Sequence, residues 1–358
     1  MQLARLRLRD FRNYARLDVE FPPGFHLILG DNAQGKTNLL EAMYLLSTLR
    51  SFRGVGGAQL VRHGAKGYFI GAGVVGQGQH EIQLYWSSAE RRVGLDGRTV
   101  RRITDYLGAF RAVVFCADDL LLVKGTSRVR RRFLDLLLSQ SQPGYLTLLQ
   151  RYSRALRSRN ALLRHRTQDE AALDGFTREL VAAGVAIIRA RAALVPRIVP
   201  FVQESHRRIA AGSELLHLEY QPHVRGDLAV ELALSRPRER AQRLTLVGPH
   251  RDELELMIDG RPASRFGSEG QKRTVALALK MAQAEFLRNV HGNPPVLLID
   301  DVMGELDLRR RSGWVPLLDA VAQGRGQVFM TCTEENWPRE LGRAIQRWEV
   351  AHGKLAAR

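Results

Sequence analysis

Eight residues near the amino terminus have the types and spacing of a phosphate-binding loop. They are Gly30, Asp31, Asn32, Ala33, Gln34, Gly35, Lys36 and Thr37, between an apolar run ending at Leu29 and a helical pattern. The backbone N–H groups of such a loop point at phosphates. Lys36 is expected to reach the β- and γ-phosphates of ATP and to assist catalysis, and Thr37 to hold Mg²⁺. A chance glycine-rich turn is the alternative, and both flanks argue against it.

Two carboxylates follow a second apolar run. Residues 296–299 are predicted to form a buried strand that ends at Asp300 and Asp301. A core strand of a parallel sheet delivers its carboxyl-terminal residues to the ligand crevice. Asp300 is therefore predicted to hold Mg²⁺, and Asp301 to orient or deprotonate the attacking water.

The tetrapeptide Ser268-Glu269-Gly270-Gln271 opens a long helical pattern. Ser268 has the chemistry of a helix N-cap, which is a purely structural explanation. The functional interpretation is a signature helix, whose first turn meets a γ-phosphate held by a second subunit. It predicts that Ser268 and Gly270 bind nucleotide, and that Gln271 belongs with the catalytic residues.

The elements that must position these residues are of both types. Alternation predicts strands before Gly30 and again over 68–115, and a 3.6-residue period predicts a helix from Gly35 to about Leu49. Residues 126–212 are almost wholly helical in pattern. Strands are predicted again near 215–220, 244–247 and 254–258. The prediction is an α/β unit, 1–124 and 214–358, interrupted by a helical arm at 125–213.

The charge is strongly basic and unevenly spread. Lys+Arg is 54 against Asp+Glu 37, a formal net charge of +17, which favours a polyanion partner, with nucleic acid first. A membrane surface or an acidic protein is the alternative. Residues 126–212 hold 16 Arg against 6 acidic residues, so the arm carries much of the excess. The predicted DNA contacts there are Arg130, Arg131, Arg132, Arg154 and Arg157, against the alternative of a solvated helix face.

Several classes of protein are disfavoured. Cys116 and Cys332 lie far apart in apolar runs, which fits neither a disulfide framework nor a metal cluster. The first residues form a charged, alternating segment without a signal-peptide core. No run approaches the ~18 apolar residues of a membrane span. A cytoplasmic protein with no membrane partner is expected.

The order of these motifs resembles that of ABC-type ATPases: phosphate loop, long insertion, signature helix, paired carboxylates and a D-loop at 304–307. More specifically, the chain is similar to the RecF family of bacterial recombination mediators. The matching stretches are 10–14, 30–42, 51–53, 130–135, 247–252 and 297–307. The resemblance implies an ABC-type ATPase head with a mixed β-sheet core and an inserted helical arm.

It also implies an activity. Members of this family close as ATP-dependent homodimers, hydrolyse ATP slowly, and bind single- and double-stranded DNA at gaps and junctions. They cooperate with RecR and RecO to load RecA recombinase. Arg12 and Asn13, in the turn after the first strand, are candidates for contact with the base or ribose. A plain polar turn is the open alternative.

The chain departs from the ABC pattern at three positions. Asp301 stands where ABC ATPases usually carry Glu, Glu269 replaces the first signature glycine, and Thr331 occupies the place of the switch histidine. A shorter carboxylate suits a slow switch better than a fast motor. A non-catalytic adaptor whose ATP site only stabilises a clamp stays open, as does a transporter ATPase subunit, which the long basic insertion disfavours.

Overall fold

The computed structural model describes residues 1–165, 169–210, 214–323, 326–333 and 345–358, with the backbone alone at 305, 320, 322 and 323. The chain divides into two units. The first unit comprises Met1–Asp119, Glu204–Glu214 and Glu269–Arg358, and the second comprises Leu120–Gln203 and Leu215–Ser268. Each unit is assembled from separate stretches of chain. The domain boundaries predicted from the sequence, 1–124, 125–213 and 214–358, stay a prediction.

Strands and helices of the described residues follow one another in a mixed order. The strands are β1 Gln2–Phe11, β2 Tyr14–Glu20, β3 Gly24–Leu29, β4 Gly67–Val75, β5 Gln79–Ser87, β6 Arg91–Leu95, β7 Arg98–Thr99, β8 Ala112–Phe115, β9 Leu216–Gln221, β10 Glu253–Ile258, β11 Arg261–Pro262, β12 Val296–Asp300, β13 Gln327–Cys332, β14 Ile345–Ala351 and β15 Lys354–Ala357. The helices are α1 Lys36–Thr48, α2 Leu121–Lys124, α3 Ser127–Ser141, α4 Tyr145–Arg164, α5 Glu170–Ala210, α6 Leu228–Gln242, α7 Ala263–Phe266, α8 Glu269–His291 and α9 Leu308–Gln323. None of these helices is both long and apolar enough to cross a membrane.

A mixed sheet forms the centre of the first unit. Its order is β15-β14-β3-β13-β12-β8, and all neighbours are parallel except β14 and β15. The carboxyl ends of parallel strands meet at one edge, so the loop after β3 and the residues that end β12 lie on either side of β13. The predicted α/β class with a mixed sheet is confirmed.

A second sheet of the first unit is antiparallel, in the order β2-β1-β4-β5-β6-β7. Buried and more exposed side chains alternate along its strands, as the sequence pattern predicts. One face carries buried residues such as Leu6, Ile70, Ile82 and Leu84, which belong to the same apolar cluster as Leu40 of α1. The opposite face carries polar and aromatic side chains, and Tyr85 on it is exposed.

The second unit holds its elements together with buried ion pairs. Arg191 of α5, which is 4% exposed, donates to Asp135 of α3 at 3.0 Å and to Asp252 at 2.8 Å. Arg159 of α4 donates to the fully buried Glu239 of α6 at 2.5 Å. Removing one partner of such a pair leaves an uncompensated buried charge, at a cost of roughly 3–5 kcal/mol. These arginines therefore serve the fold.

The strand predicted over 244–247 is wrong, and helix α6 before it was not predicted. The backbone N–H of Thr245 donates to the Asn160 side chain at 2.8 Å, and that of Leu246 donates to Glu239 at 2.7 Å. Side chains thus take the donors that a neighbouring strand would otherwise satisfy. These acceptors lie on other elements, which an apolar pattern alone does not reveal.

A neutral histidine lies in the core of the first unit. The Trp348 indole N–H donates to Nδ1 of His26 at 3.0 Å, so the imidazole proton is on Nε2, which donates to the Pro22 carbonyl at 2.8 Å. The ring also stacks on Phe329, with centroids 4.6 Å apart. Burial lowers the pKa of His26 to about 4.

This environment predicts acid sensitivity of the fold. Between pH 6.5 and about 4, His26 binds a proton in the unfolded chain but stays neutral in the folded protein. Acidification over this range should therefore lower the free energy of unfolding by about 3 kcal/mol through His26 alone. Carboxylates titrate in the same pH range and also change the stability. The measurement is therefore the difference between wild type and His26→Gln in urea unfolding at pH 7 and pH 4.5. His26→Gln should lose less stability on acidification, whereas His63→Gln, at an exposed site, should behave like wild type. Equal pH slopes for all three would contradict the assignment.

Candidate nucleotide site

Backbone conformation makes the predicted phosphate loop. Gly30 and Gly35 have φ angles of 148° and 120°, which L side chains rarely adopt. A Cβ on Gly30 would lie 2.4 Å from the Val350 carbonyl oxygen, and one on Gly35 would lie 2.6 Å from Asn13 Nδ2. Both glycines are therefore required by space as well as by φ. Helix α1 begins directly after Gly35, so its free N–H groups face the loop.

Lys36 is a buried cation within this loop. Only 7% of the residue is exposed, and its Nζ donates to the carbonyls of Gly30 at 2.5 Å and Asp31 at 2.9 Å. Both partners are neutral, so they take two of its three donors without neutralising its charge. A buried ammonium beside free backbone N–H groups fits a polyanionic phosphate.

Thr37 and Asp300 meet at the edge of the mixed sheet. The Thr37 hydroxyl donates to Asp300 Oδ1 at 2.8 Å, and the Thr331 hydroxyl donates to the same oxygen at 3.0 Å. Burial raises the pKa of Asp300, and the two hydroxyl groups oppose that shift. A hydroxyl and a carboxylate side by side form the oxygen set that Mg²⁺ takes from a protein when waters and phosphates complete its shell. Among the described residues, no group of three or more His, Cys, Asp or Glu is arranged to hold a metal ion.

Thr331 has a structural role that the sequence did not indicate. Besides donating to Asp300, it accepts the backbone N–H of Asp301 at 3.1 Å. Asp301 is exposed and has a φ of 52°, in the left-handed region. The threonine thus fixes the turn in which the predicted general base sits.

Arg12 and Asn13 have protein partners beside the loop. Arg12 makes a two-point contact with the buried Glu41, at 2.8 and 3.0 Å. Asn13 donates to the Gln34 carbonyl at 2.7 Å and accepts from Asn38 at 2.9 Å. These contacts tie the β1–β2 turn to the phosphate loop through Gln34 and to helix α1 through Asn38 and Glu41. Contact of either residue with a nucleotide stays a prediction.

The last hairpin also supports the loop, a contact that sequence reasoning missed. The N–H of His352 donates to the Gln34 side chain at 2.7 Å, and that of Gly353 donates to the Gln34 carbonyl at 3.2 Å. The His352-Gly353 turn between two strand patterns was the available indication of a hairpin. Its partner could not be inferred from that indication.

The signature segment begins helix α8, and Ser268 immediately precedes that helix. Gln271 donates to Glu214 at 3.0 Å, and Glu269 pairs with Lys272 at 3.7 Å. Glu269 thus has a cation one turn away, which partly offsets the charge that replaces a glycine. The nucleotide contacts of Ser268, Gly270 and Gln271 stay predictions.

Arg310 is a second residue that sequence reasoning missed. Its Nε donates to the Thr274 hydroxyl of α8 at 2.8 Å, and its guanidinium also pairs with Asp307. Asp307 in turn accepts the backbone N–H of Arg310 at 2.9 Å, as a helix N-cap does. A Cβ on Gly270 would lie 2.6 Å from this guanidinium. Arg310 therefore links the predicted D-loop to the first turn of α8, and the Asp-x-x-Arg spacing at a helix start was its only indication.

The predicted DNA-binding arginines fall into two groups. Arg130 makes a two-point ion pair with Glu253 at 2.7 Å and is 13% exposed, while Arg131 donates to the Asp252 carbonyl at 2.7 Å. Burial lowers the pKa of Arg131. The exposed members are Arg132, Arg154 and Arg157. The exposed set is better placed to meet a polyanion.

Relatives of this chain form a consistent group. The family model described as RecF/RecN/SMC N terminal domain matches residues 2–353. A DNA replication and repair protein RecF from Symbiobacterium thermophilum is 40% identical over 360 residues, covering 95% of this chain and 95% of the relative. One from Lacticaseibacillus casei is 37% identical, covering 99% of this chain and 100% of the relative.

Solved structures show the same fold. The recombination mediator protein RecF with ATP, described within the RecFOR pathway, superposes with a TM-score of 0.90 at 29% identity and covers 99% of this chain and 97% of its own. An Smc head domain from Pyrococcus furiosus superposes with a TM-score of 0.60 at 16% identity, covering 99% and 96%, which shows a shared fold alone. With a phosphate loop and carboxylate strand assembled as in an ATPase head, and with relatives matched over nearly its whole length, this chain belongs to the RecF family of the RecF/RecN/SMC ATPases.

Proposed function

We propose that this protein is an ATP-dependent DNA-binding protein of recombinational repair. In the proposed cycle, ATP closes a homodimer on single- or double-stranded DNA at gaps and junctions, slow hydrolysis reopens it, and the closed state helps to load a recombinase. RecR and RecO are the proposed protein partners, because the RecF–ATP structure is described within the RecFOR pathway. The observation that carries the proposal is the contact of Thr37 with Asp300, which joins the phosphate loop to the carboxylate strand.

The proposed ATP site uses the residues of that contact. The loop N–H groups and Lys36 hold the phosphates, and Thr37 and Asp300 hold Mg²⁺. When bound, Mg²⁺ neutralises charge that develops on the phosphate oxygens. Asp300 is already surrounded by hydroxyl donors, so its carboxylate is oriented before any ligand arrives.

Slow hydrolysis follows from the general base. Asp301 is one methylene shorter than Glu, and a displacement of about a bond length can cost ~10²-fold in rate. Its backbone N–H is bonded to Thr331, which restrains the turn that carries the side chain. These features also favour the second candidate, an adaptor that binds ATP without turnover. Steady-state hydrolysis with and without DNA separates the two, since only the switch is stimulated.

Dimer closure is assigned to the signature segment. Ser268 and Gly270 would meet the γ-phosphate on a second copy, with Gln271 beside them. ATP then binds the dimer more tightly than the monomer, and this difference sets how far it shifts the equilibrium. Arg310 supports the arrangement, because it holds the turn of Gly270 against the D-loop residue Asp307.

The dimer is tested with Ser268→Arg. A long cation at the proposed interface should abolish ATP-induced dimerisation and hydrolysis while monomer affinity for ATP stays within about twofold, because the phosphate loop is untouched. Sedimentation velocity with ATP, ADP and no nucleotide measures this, with Ser88→Arg at an exposed position as the matched control. A wild type that stays monomeric with ATP at micromolar protein, or normal dimerisation of Ser268→Arg, would disprove the clamp.

The metal role of Asp300 predicts a separation of affinity from turnover. Asp300→Asn should keep much of the ATP affinity but lose Mg²⁺-dependent hydrolysis by about 10²-fold or more, since metal charge stabilisation is worth several kcal/mol. Lys36→Met should instead weaken ATP binding itself. Equilibrium binding of a fluorescent ATP analogue and single-turnover hydrolysis measure the two effects. Unchanged hydrolysis in Asp300→Asn would show that another residue holds the metal.

The arm predicts a salt-dependent interaction with DNA. Replacing Arg132, Arg154 and Arg157 with Gln should weaken duplex binding and reduce the slope of log affinity against log salt by about 0.9 for each phosphate that the protein no longer neutralises. Arg130→Gln is the contrasting variant: breaking its ion pair with Glu253 should lower thermal stability more than it changes the slope. An unaltered slope in the triple variant would assign these arginines to a protein partner or to solubility.

A further inference from the structure

The outer face of the antiparallel sheet carries a row of aromatic and basic side chains. Strand pairing places Arg16 opposite Arg9, Arg9 opposite Phe69, Phe69 opposite Tyr85, and Tyr85 opposite Arg92. These five residues thus form one line across β2, β1, β4, β5 and β6, here called the aromatic–arginine row. With strands about 4.8 Å apart, the row is roughly 19 Å long.

Arg9, Arg16, Tyr85 and Arg92 of this row are exposed, and Phe69 is half-buried. The side chains of Arg9 and Arg92 are 79% and 61% exposed, and Tyr85 is 37% exposed. Arg92 also pairs with the exposed Glu90 at 2.9 Å, a contact that a phosphate would have to replace or share. Arg9 and Arg16 are like charges directly opposite one another, an arrangement that costs stability in a sheet. Asp10 is 3.9 Å from Arg9 but is engaged by another arginine at 2.8 Å. The repulsion is therefore only partly relieved within the protein, and an anion would relieve it further.

Glycines beside the aromatic–arginine row leave this face of the sheet without projecting side chains at those positions. Gly71 of β4 and Gly94 of β6 lie on this face in the row beside the aromatic residues, and Gly73 of β4 lies one row further along. Glycine inside a strand weakens it, and often marks a place where a ligand or another backbone comes close. The Phe69 ring leans over Gly71, where a Cβ would lie 3.0 Å from two ring carbons. The ring is thus laid along the sheet and not raised above it.

We propose that this face binds single-stranded DNA, with Phe69 and Tyr85 stacking on bases and Arg9, Arg16 and Arg92 contacting phosphates. Neighbouring aromatic rings flanked by arginines suit a strand whose bases and phosphates alternate, and stacking accepts any base. An acidic peptide would pair with the arginines, but its carboxylate side chains would offer no flat ring to stack on Phe69 and Tyr85. The proposal shares its partner class with the function proposed above but uses a different surface from the arm.

The test separates base stacking from charge. Binding of a 20-nucleotide oligothymidylate, of an abasic strand of the same length and of a duplex is measured by fluorescence anisotropy over a salt series. The double variant Phe69→Ser with Tyr85→Ser should bind oligothymidylate about 5- to 150-fold more weakly for each base that no longer stacks, with the abasic strand and the duplex unchanged. Replacing Arg9, Arg16 and Arg92 with Gln should weaken both single strands and reduce the salt slope by about 0.7 for each phosphate that is no longer neutralised.

Controls fix the interpretation. The double variant Arg5→Gln with Asp18→Asn removes an exposed ion pair elsewhere on this face. It should leave the affinities for oligothymidylate and for the abasic strand unchanged. Circular dichroism and ATP binding show that each variant is folded. Wild-type affinity of the aromatic variant for oligothymidylate overturns the proposal, as does an equal loss on the abasic strand, or full competition by polyglutamate. If the wild type binds no oligonucleotide, both this proposal and the proposed function are wrong. If only the triple arginine variant of the arm leaves DNA affinity and its salt slope unchanged, the proposed arm contact is wrong and this surface is unaffected.

Discussion

The hydrogen bond between Thr37 and Asp300 is the contact on which the rest of the site depends. Its two residues are 263 positions apart and meet at 2.8 Å, because β13 lies between β3 and β12 in a fixed register. Thr331 pairs with Ile28 on one side and with Asp300 on the other. A slip of one residue in β13 would turn the Thr331 hydroxyl to the opposite face of the sheet, and the carboxylate would lose one of its two donors.

The same loop is held by two hairpins that come from opposite ends of the sequence. Asn13 in the β1–β2 turn and His352 in the β14–β15 turn both bond Gln34. A ligand that moves the loop must therefore move these turns or break their bonds. Arg9 and Arg16 lie on the first of these hairpins, and the turn of that hairpin contacts the phosphate loop through Asn13.

Positive charge in the second unit has two different uses. Arg159 and Arg191 are almost wholly buried and are bound to carboxylates, where they replace apolar packing between elements. Arg132, Arg154 and Arg157 remain exposed. The net charge of a segment counts both groups alike, so it overstates the surface available to a polyanion. Burial and pairing, and not sequence clustering, separate the arginines that are accessible to a polyanion from those that are not.

The sequence by itself determined the parts that depend on local chemistry. The apolar strand ending at Asp300, the helix after Ser268 and the α/β class follow from spacing and periodicity over a few residues, and the fold confirms those two elements and that class. The phosphate-binding role of residues 30–37 also follows from local spacing, and it stays a prediction. Tertiary structure decided which residues meet: Thr331 with Asp300, Arg310 with Thr274, and Arg130 with Glu253. It also overruled the strand predicted over 244–247, because donors there bond side chains from distant elements. Pattern reports the conformation a segment prefers, whereas partners across hundreds of residues are set by the register and packing of the whole chain.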